Sequence, residues 1–377
     1  MRIGFDGKRA VQNFTGLGNY SRYVADILCH FYPENDYVLY APKKRENKRM
    51  NLLTDQYRQL TLAYPATSFW KKLSSLWRVW GITSQLEKEG IELFHGLSNE
   101  LPLNIHKSRI KSIVTIHDLI FLRYPQYYQS IDRKIYTYKF RKACENADKI
   151  IAISECTKRD ITRYFNIPDD KIEVVYQGCD VSFTHPVTEE KKEEVRKKYQ
   201  LPDHYILNVG SIEERKNILA AVQALPMLPQ HIHIVIVGRR TGYTKKVEQF
   251  IKDNGLGERV HIISNVPFND LPAFYQSAEI FVYPSRFEGF GIPIIEALYS
   301  GIPVVAATGS CLEEAGGPDS IYVNPDDITG LADAFKQIYS NSDKRKNMVE
   351  KGREFAKRFS EKQQSEEIIN IYKKLIR

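Results

Sequence analysis

Short runs of apolar and β-branched residues recur along the 377-residue chain, separated mostly by helix-length stretches. In the first half the strand-like runs are Arg2–Phe5, Tyr37–Ala41, Leu93–His95, Lys111–Ile116, Lys149–Ile153 and Ile172–Val175. The second half adds Tyr205–Val209, His233–Val237, Val260–Ile262, Ile280–Tyr283, Pro303–Ala306 and Ser320–Val323. Helices are expected over Gly18–His30, Arg133–Ala147, Glu155–Phe165, Leu271–Ser277 and Thr329–Ser340. Alternating strands and helices predict an α/β class with parallel sheets covered on both faces. A dozen strands are too many for one such sheet, so two doubly wound domains are expected. The break falls between Gly178 and about Gln200, where Pro186 is followed by the charge-dense run Glu189–Lys198, read as a solvated helix. The expected domains are 1–185 and 200–358, with a further helical pattern over 360–377. In open parallel sheets ligands bind at the carboxyl ends of the strands, so chemistry is sought there.

Composition narrows the class. With 42% hydrophobic and 27% charged residues, the chain is not broadly disordered. No apolar run approaches the roughly 18–20 residues of a membrane span, and Met1–Asp6 reads as a strand, not a secretory signal. Five scattered cysteines without a C-x-x-C pair are expected to be reduced, packed thiols of a cytoplasmic protein, with no zinc site. The net charge of +8 is confined to residues 1–180, which hold 28 Lys and Arg against 20 Asp and Glu; the remainder is balanced at 26 and 26. That asymmetry points the first half toward an anionic partner. Nucleic acid is a poor fit, for the chain has no RNP-like segment, zinc-finger spacing or continuous basic helix.

The most informative segment is Ser285–Ala297. A strand runs into a loop containing Gly289 and Gly291, and Pro293 then falls in the first turn of a helix, where its missing N–H is harmless. Backbone amides at such a helix start make an anion site. Glu288 and Glu296, eight residues apart, are poor phosphate ligands but good acceptors for sugar hydroxyls. A second segment, Val209–Asn217, places Arg215 and Lys216 just after a strand, where adjacent cations can neutralise a diphosphate.

In the context Phe-Glu-Gly-Phe-Gly-Ile-Pro, the Glu288 and Glu296 pair resembles the signature of retaining glycosyltransferases of the GT-B fold, family 4. The resemblance runs over nearly the whole chain. It implies two Rossmann-like domains facing across a cleft, with the last helix crossing back to the first domain. It also implies an acceptor-binding first domain and a nucleotide-sugar-binding second domain. On this basis Glu288 lies near the donor sugar, Glu296 near the ribose, and the amides of Gly289, Phe290 and Gly291 near sugar and phosphates. Arg215 and Lys216 take the diphosphate; Ser211 stands where some members carry a further Arg. In Thr115-Ile116-His117-Asp118, His117 matches the family's active-site histidine, while Asp118 either orients it or caps the next segment. The loop Phe14–Tyr20 matches a glycine-rich loop over the donor or acceptor, with Gly16 the residue assigned there.

All three tryptophans fall within Phe69–Trp80. At helical spacing Trp70, Leu73, Trp77 and Trp80 share one face. With Lys71, Lys72 and Arg78 they either form a membrane or acceptor surface or pack on the first domain. The resemblance implies an enzyme that moves a hexose, with GDP-mannose the first candidate, to a glycan or lipid-linked acceptor in cell-surface polysaccharide synthesis. No metal and no resident cofactor are expected, and the location is cytoplasmic, peripheral on the inner membrane face. The competing readings are an epimerase of the same fold, a non-catalytic sugar-nucleotide-binding subunit and a membrane-surface module.

Overall fold

The computed structural model describes Met1–Ile376. Arg377, included in the expected last helix, lies outside the described residues. The chain divides into two compact units, Met1–Gln177 with the segment from Glu361 onward, and Gly178–Ser360.

The first unit is built on a seven-stranded sheet: β1 (Arg2–Asp6), β2 (Asp36–Tyr40), β3 (Leu60–Ala63), β4 (Leu93–Gly96), β5 (Lys111–Ile116), β6 (Lys149–Ala152) and β7 (Ile172–Val174). The strands are all parallel, in the order β3-β2-β1-β4-β5-β6-β7. Both faces are apolar, as a sheet covered by helices on two sides requires. Ile3, Phe5, Leu39, Leu93 and Ile113 belong to one core, while Val38, Tyr40, Phe94, Val114 and Ile116 belong to the other. The last helix, Glu361–Ile376, buries Ile368, Ile369 and Tyr372 in the first of these cores. The Tyr372 hydroxyl lies 2.6 Å from Nδ1 of the buried His95 on β4.

The second unit has six parallel strands: β8 (Tyr205–Val209), β9 (His233–Val237), β10 (Val260–Ile263), β11 (Ile280–Tyr283), β12 (Val304–Ala307) and β13 (Ile321–Val323). Their order is β10-β9-β8-β11-β12-β13. The segment Gly178–Gln200 belongs to this unit, so the break comes earlier than the expected residue 185. The reason is packing: the Phe183 ring meets Tyr275 edge-on at 5.3 Å and Phe268 at 5.9 Å. The charged helix Glu189–Tyr199 is tied down as well, through Lys191 and Lys198 to Asp270.

In both sheets the strand order reverses between the first and fourth strands, β1 and β4 in one and β8 and β11 in the other. Crevices open at such switch points, at the carboxyl ends of the strands. The loops leaving these strands carry the motifs.

Candidate active site

In the second unit, β8 is followed by Gly210, whose φ of +153° suits glycine. The Lys216 side chain lies over this glycine; a Cβ there would come 3.2 Å from its Nζ. Gly238, after β9, allows the same loop to approach, for a Cβ on it would stand 1.8 Å from the Gly210 carbonyl oxygen. The turn Glu214–Lys216 is closed by Asn217 in a left-handed conformation, and Asn217 Nδ2 donates to the carbonyls of Pro284 (3.2 Å) and Pro325 (2.8 Å). Arg286 N donates to Arg215 O at 2.9 Å, so the loops after β8 and β11 are laced together.

This lacing brings Arg215, Lys216 and Glu288 into one cluster. Glu288 Oε1 lies 2.9 Å from Arg215 Nη1 and 3.4 Å from Lys216 Nζ, and accepts from the Ser285 hydroxyl at 2.8 Å. Burial alone would raise its pKa, but Lys216 and Arg215 outweigh that and hold it at about 2. Lys216 is shifted the other way: burial opposes its charge, and Glu288 with the Tyr283 hydroxyl, 2.9 Å from Nζ, raises its pKa. Two cations and the Glu288 carboxylate share this buried cluster, and Glu213 lies 3.8 Å from Arg215 at its edge.

Glu296 stands apart, on the helix Ile292–Ser300, with Pro293 in the first turn as the sequence predicts. Its Oε2 accepts from Tyr275 Oη at 2.6 Å. Burial raises its pKa to about 7, against the opposing effect of that hydrogen bond. Gly291 caps this helix at φ +128°. Phe290, assigned to the donor site, turns its side chain inward against Phe359, with ring centroids 5.5 Å apart. Its ring is buried, so only its backbone can serve the site.

In the first unit His117 follows β5 and is buried. Its ring lies edge-on to Tyr20, 4.6 Å between centroids. Nε2 faces the Leu97 carbonyl at 2.9 Å, and Gln177 Nε2 donates to Nδ1 at 3.2 Å. These partners fix a neutral ring with the proton on Nε2. Burial lowers its pKa to about 4. Its backbone N–H donates to Asn99 Oδ1 at 2.7 Å. Asp118 Oδ1 accepts from Ile120 N at 3.1 Å, at the start of the short helix Ile120–Arg123.

Gly16 begins the helix Gly16–Phe31, and open space surrounds the place of its missing Cβ. The glycine that packing demands is Gly18, where a Cβ would fall 2.0 Å from Asn13 O. The tryptophan face is a further correction. The chain turns at Leu73, and Trp77–Gly81 forms a π-helical turn, which throws the α-helical spacing out of phase. Trp77 is wholly buried and donates from Nε1 to Gln85 Oε1 at 3.1 Å. Trp70 packs over Gly81. Arg78 is held between Asp6 and Glu100, 2.6 Å from the latter. Trp77 and Arg78 are therefore not surface groups, whereas Lys71, Lys72 and Trp80 are exposed.

Sequence reasoning missed Tyr275, Tyr283 and Gln177, which hold Glu296, Lys216 and His117. Tyr283 ends the strand before the motif, so its direction could be read from strand periodicity. Tyr275 and Gln177 carry no local signal.

These features define a two-unit transferase of the GT-B fold. Two family models cover most of the chain, Glycosyltransferase Family 4 over residues 21–183 and Glycosyl transferases group 1 over 189–355. The chain belongs to this glycosyltransferase family. It is 30% identical to O-antigen chain mannosyltransferase B of Escherichia coli, over 75% of this chain and 74% of that one. It is 29% identical to O-antigen chain mannosyltransferase RfbU of Salmonella typhimurium over 60% of each. Among solved structures, Anabaena Alr3699/HepE in complex with UDP and glucose superposes over the whole of both chains with TM-score 0.76 at 17% identity. A glycosyltransferase from Rickettsia africae covers 100% of this chain and 98% of its own, with TM-score 0.79 at 20% identity.

Proposed function

We propose that the protein transfers mannose from GDP-mannose to a hydroxyl of a glycan or lipid-linked acceptor, with retention of anomeric configuration, during surface-polysaccharide assembly. The carrying observation is the Arg215–Lys216–Glu288 cluster at the switch point of the second unit. The mannosyltransferase relatives support the sugar, and the UDP and glucose in HepE support a nucleotide-sugar donor.

In this reading the donor diphosphate enters at this cluster and takes over Arg215 and Lys216 as they leave Glu288. The freed carboxylate then accepts from the sugar hydroxyls, and Glu296 accepts from the ribose. The bond between the anomeric carbon and the diphosphate oxygen breaks, and the acceptor oxygen bonds from the same face. The acceptor proton passes to the departing diphosphate. Preorganised cations meet the charge where it develops, so neither a metal nor a paired acid and base is required. Neutral His117 supplies position and not a proton. The reaction takes place in the cytoplasm at the inner membrane face.

A thermal-shift panel of nucleotides and nucleotide sugars, followed by transfer assays with and without EDTA, tests this. GDP-mannose is expected to stabilise the protein most, and transfer is expected to be insensitive to EDTA. Conversion of donor without acceptor would favour the epimerase reading, and absence of any nucleotide-sugar response would sink the donor assignment.

A further inference from the structure

Exposed apolar side chains are not scattered evenly over this molecule. Twelve large ones are exposed among the described residues, and eight lie on two segments of the first unit. Phe69, Leu73, Leu76 and Trp80 come from Ser68–Gly81; Ile131, Ile135, Tyr136 and Tyr138 come from the helix Ser130–Asn146. The exposures are large: 61% for Phe69, 65% for Ile131 and 55% for Tyr138.

The helix has two distinct faces. Ala143 and Cys144 are buried, and Phe140 packs against Phe121 at 5.2 Å. Ile131, Ile135 and Tyr138 follow at steps of four and three, which places them in one stripe on the opposite side. Lys142, four residues past Tyr138, continues the stripe, and the exposed Lys134 and Arg141 flank it on one side.

The two segments adjoin. Arg78 Nη1 and Lys139 Nζ both reach Glu100 Oε2, at 2.6 and 3.5 Å. Asn146 Nδ2 donates to Leu103 O at 3.0 Å, Leu103 N donates to Val79 O at 2.8 Å, and Asn104 Nδ2 donates to Trp80 O at 3.1 Å. Ser68–Gly81 exposes Lys71 and Lys72 and has no carboxylate; its third cation, Arg78, is turned inward to Asp6 and Glu100. The helix contains five cations, Arg133, Lys134, Lys139, Arg141 and Lys142, against Asp132 and Glu145.

We infer that these two segments form the face by which the protein lies on an anionic lipid bilayer. Soluble monomers seldom leave so many apolar side chains together in water. Large apolar and aromatic groups interleaved with Lys and Arg suit the boundary between headgroups and acyl chains. Apolar groups enter the boundary while the long cationic side chains reach the phosphates. A second copy is a worse occupant, because a two-fold contact would set the same cations against themselves. The proposal rests on the lipid-linked acceptor reading for its purpose only; the binding itself needs neither donor nor acceptor.

The test is flotation of the full chain with vesicles of phosphatidylcholine alone or mixed with phosphatidylglycerol, at low and high salt. Binding is expected with the anionic vesicles and is expected to weaken with salt. Ile131→Glu/Ile135→Glu/Tyr138→Glu is expected to lose at least about tenfold in partitioning, since each buried apolar group alone supports that much. Leu52→Glu and Met227→Glu, at exposed apolar positions elsewhere, are expected to bind as the parent does. Equal flotation of the triple variant, or no flotation of the parent with anionic vesicles, overturns the proposal. So does a parent dimer that the triple variant converts to monomer in sedimentation. Turnover on a soluble acceptor is measured in the same variants, and loss of transfer with vesicle binding intact counts against the proposed function alone.

Discussion

Glu288 Oε1 lies 2.9 Å from Arg215 Nη1, so the carboxylate assigned to the sugar and a cation assigned to the diphosphate are paired with each other before any donor arrives. Lys216 completes the cluster at 3.4 Å. A diphosphate bound at these cations, as proposed, would have to exchange for Glu288 and not add to empty cations.

That exchange predicts opposite signatures for the two sides of the pair. Lys216→Ala is expected to lower kcat by on the order of 10²-fold or more, by removing a group aimed at developing charge. Glu288→Gln removes the carboxylate nearest to both Arg215 and Lys216 and is expected to cost about 3–5 kcal/mol in the free protein. Added GDP is expected to restore part of that loss, because its diphosphate replaces the missing charge. Chemical denaturation with and without GDP, beside steady-state transfer assays, reads both effects. Normal turnover in Lys216→Ala would remove the diphosphate assignment.

The two glutamates of the motif titrate in opposite directions, and this gives a pH prediction. Glu296 has a folded pKa of about 7 against the ordinary 4.5, so the folded state holds its proton longer than the unfolded chain. Its stabilising contribution is complete below about 4.5 and is lost as pH rises through about 7. Glu288, at about 2, does the reverse: its contribution is present above 4.5 and lost as pH falls toward 2. Glu296→Gln is thus expected to flatten the decline in urea midpoint between pH 4.5 and 7. If the ionised Glu296 accepts from ribose hydroxyls, nucleotide affinity rises through the same interval in the parent only. A parallel decline in Glu296→Gln would show that the dependence comes from another group.

Much of this architecture was legible in the sequence because both sheets are apolar on both faces. Lys111–Ile116, Tyr205–Val209, His233–Val237 and Ile280–Tyr283 match the observed strands end for end. Leu60–Ala63 was missed: it is a four-residue strand at the sheet edge, with Thr61 interrupting the apolar run. The Arg215, Lys216 and Glu288 motifs were readable because local spacing places them at strand ends. Their pairing was not, since it depends on two loops tied together through Arg286 N and Arg215 O. The tryptophan segment failed for a specific reason, the π-helical turn at Trp77, which no α-helical periodicity anticipates.

The two glycines of the first-unit loop separate steric need from access. A Cβ at Gly18 would fall 2.0 Å from a backbone oxygen that cannot move aside without distorting the loop. Gly18→Ala is expected to lower the thermal midpoint sharply or to prevent folding. Gly16 has open space around its Cα, so Gly16→Ala is expected to fold with a midpoint close to that of the parent. A raised KM in Gly16→Ala would then report close approach of this backbone to a substrate. Unchanged kinetics would remove Gly16 from the site.

His117 gives the last prediction, and its sign follows from burial. The ring pKa is lowered to about 4 from the ordinary 6.5, and Leu97 and Gln177 occupy both nitrogens. The folded state therefore binds fewer protons than the unfolded chain between those values, so this group's contribution to stability is lost as pH falls from 6.5 toward 4. His95 acts in the same direction, with burial lowering its pKa to about 3. At neutral pH His117 is uncharged and holds geometry. His117→Gln is expected to lower turnover by on the order of 10²-fold through misplacement. The shape of its kcat/KM profile from about pH 5.5 to 9 is expected to match that of the parent, since proton transfer by a group with this pKa would not be switched in that range. The variant is also expected to lose less stability than the parent on acidification through pH 6.5 to 4. A limb near pH 6.5 in the parent that disappears in His117→Gln would instead make this ring a proton carrier and overturn the positioning role.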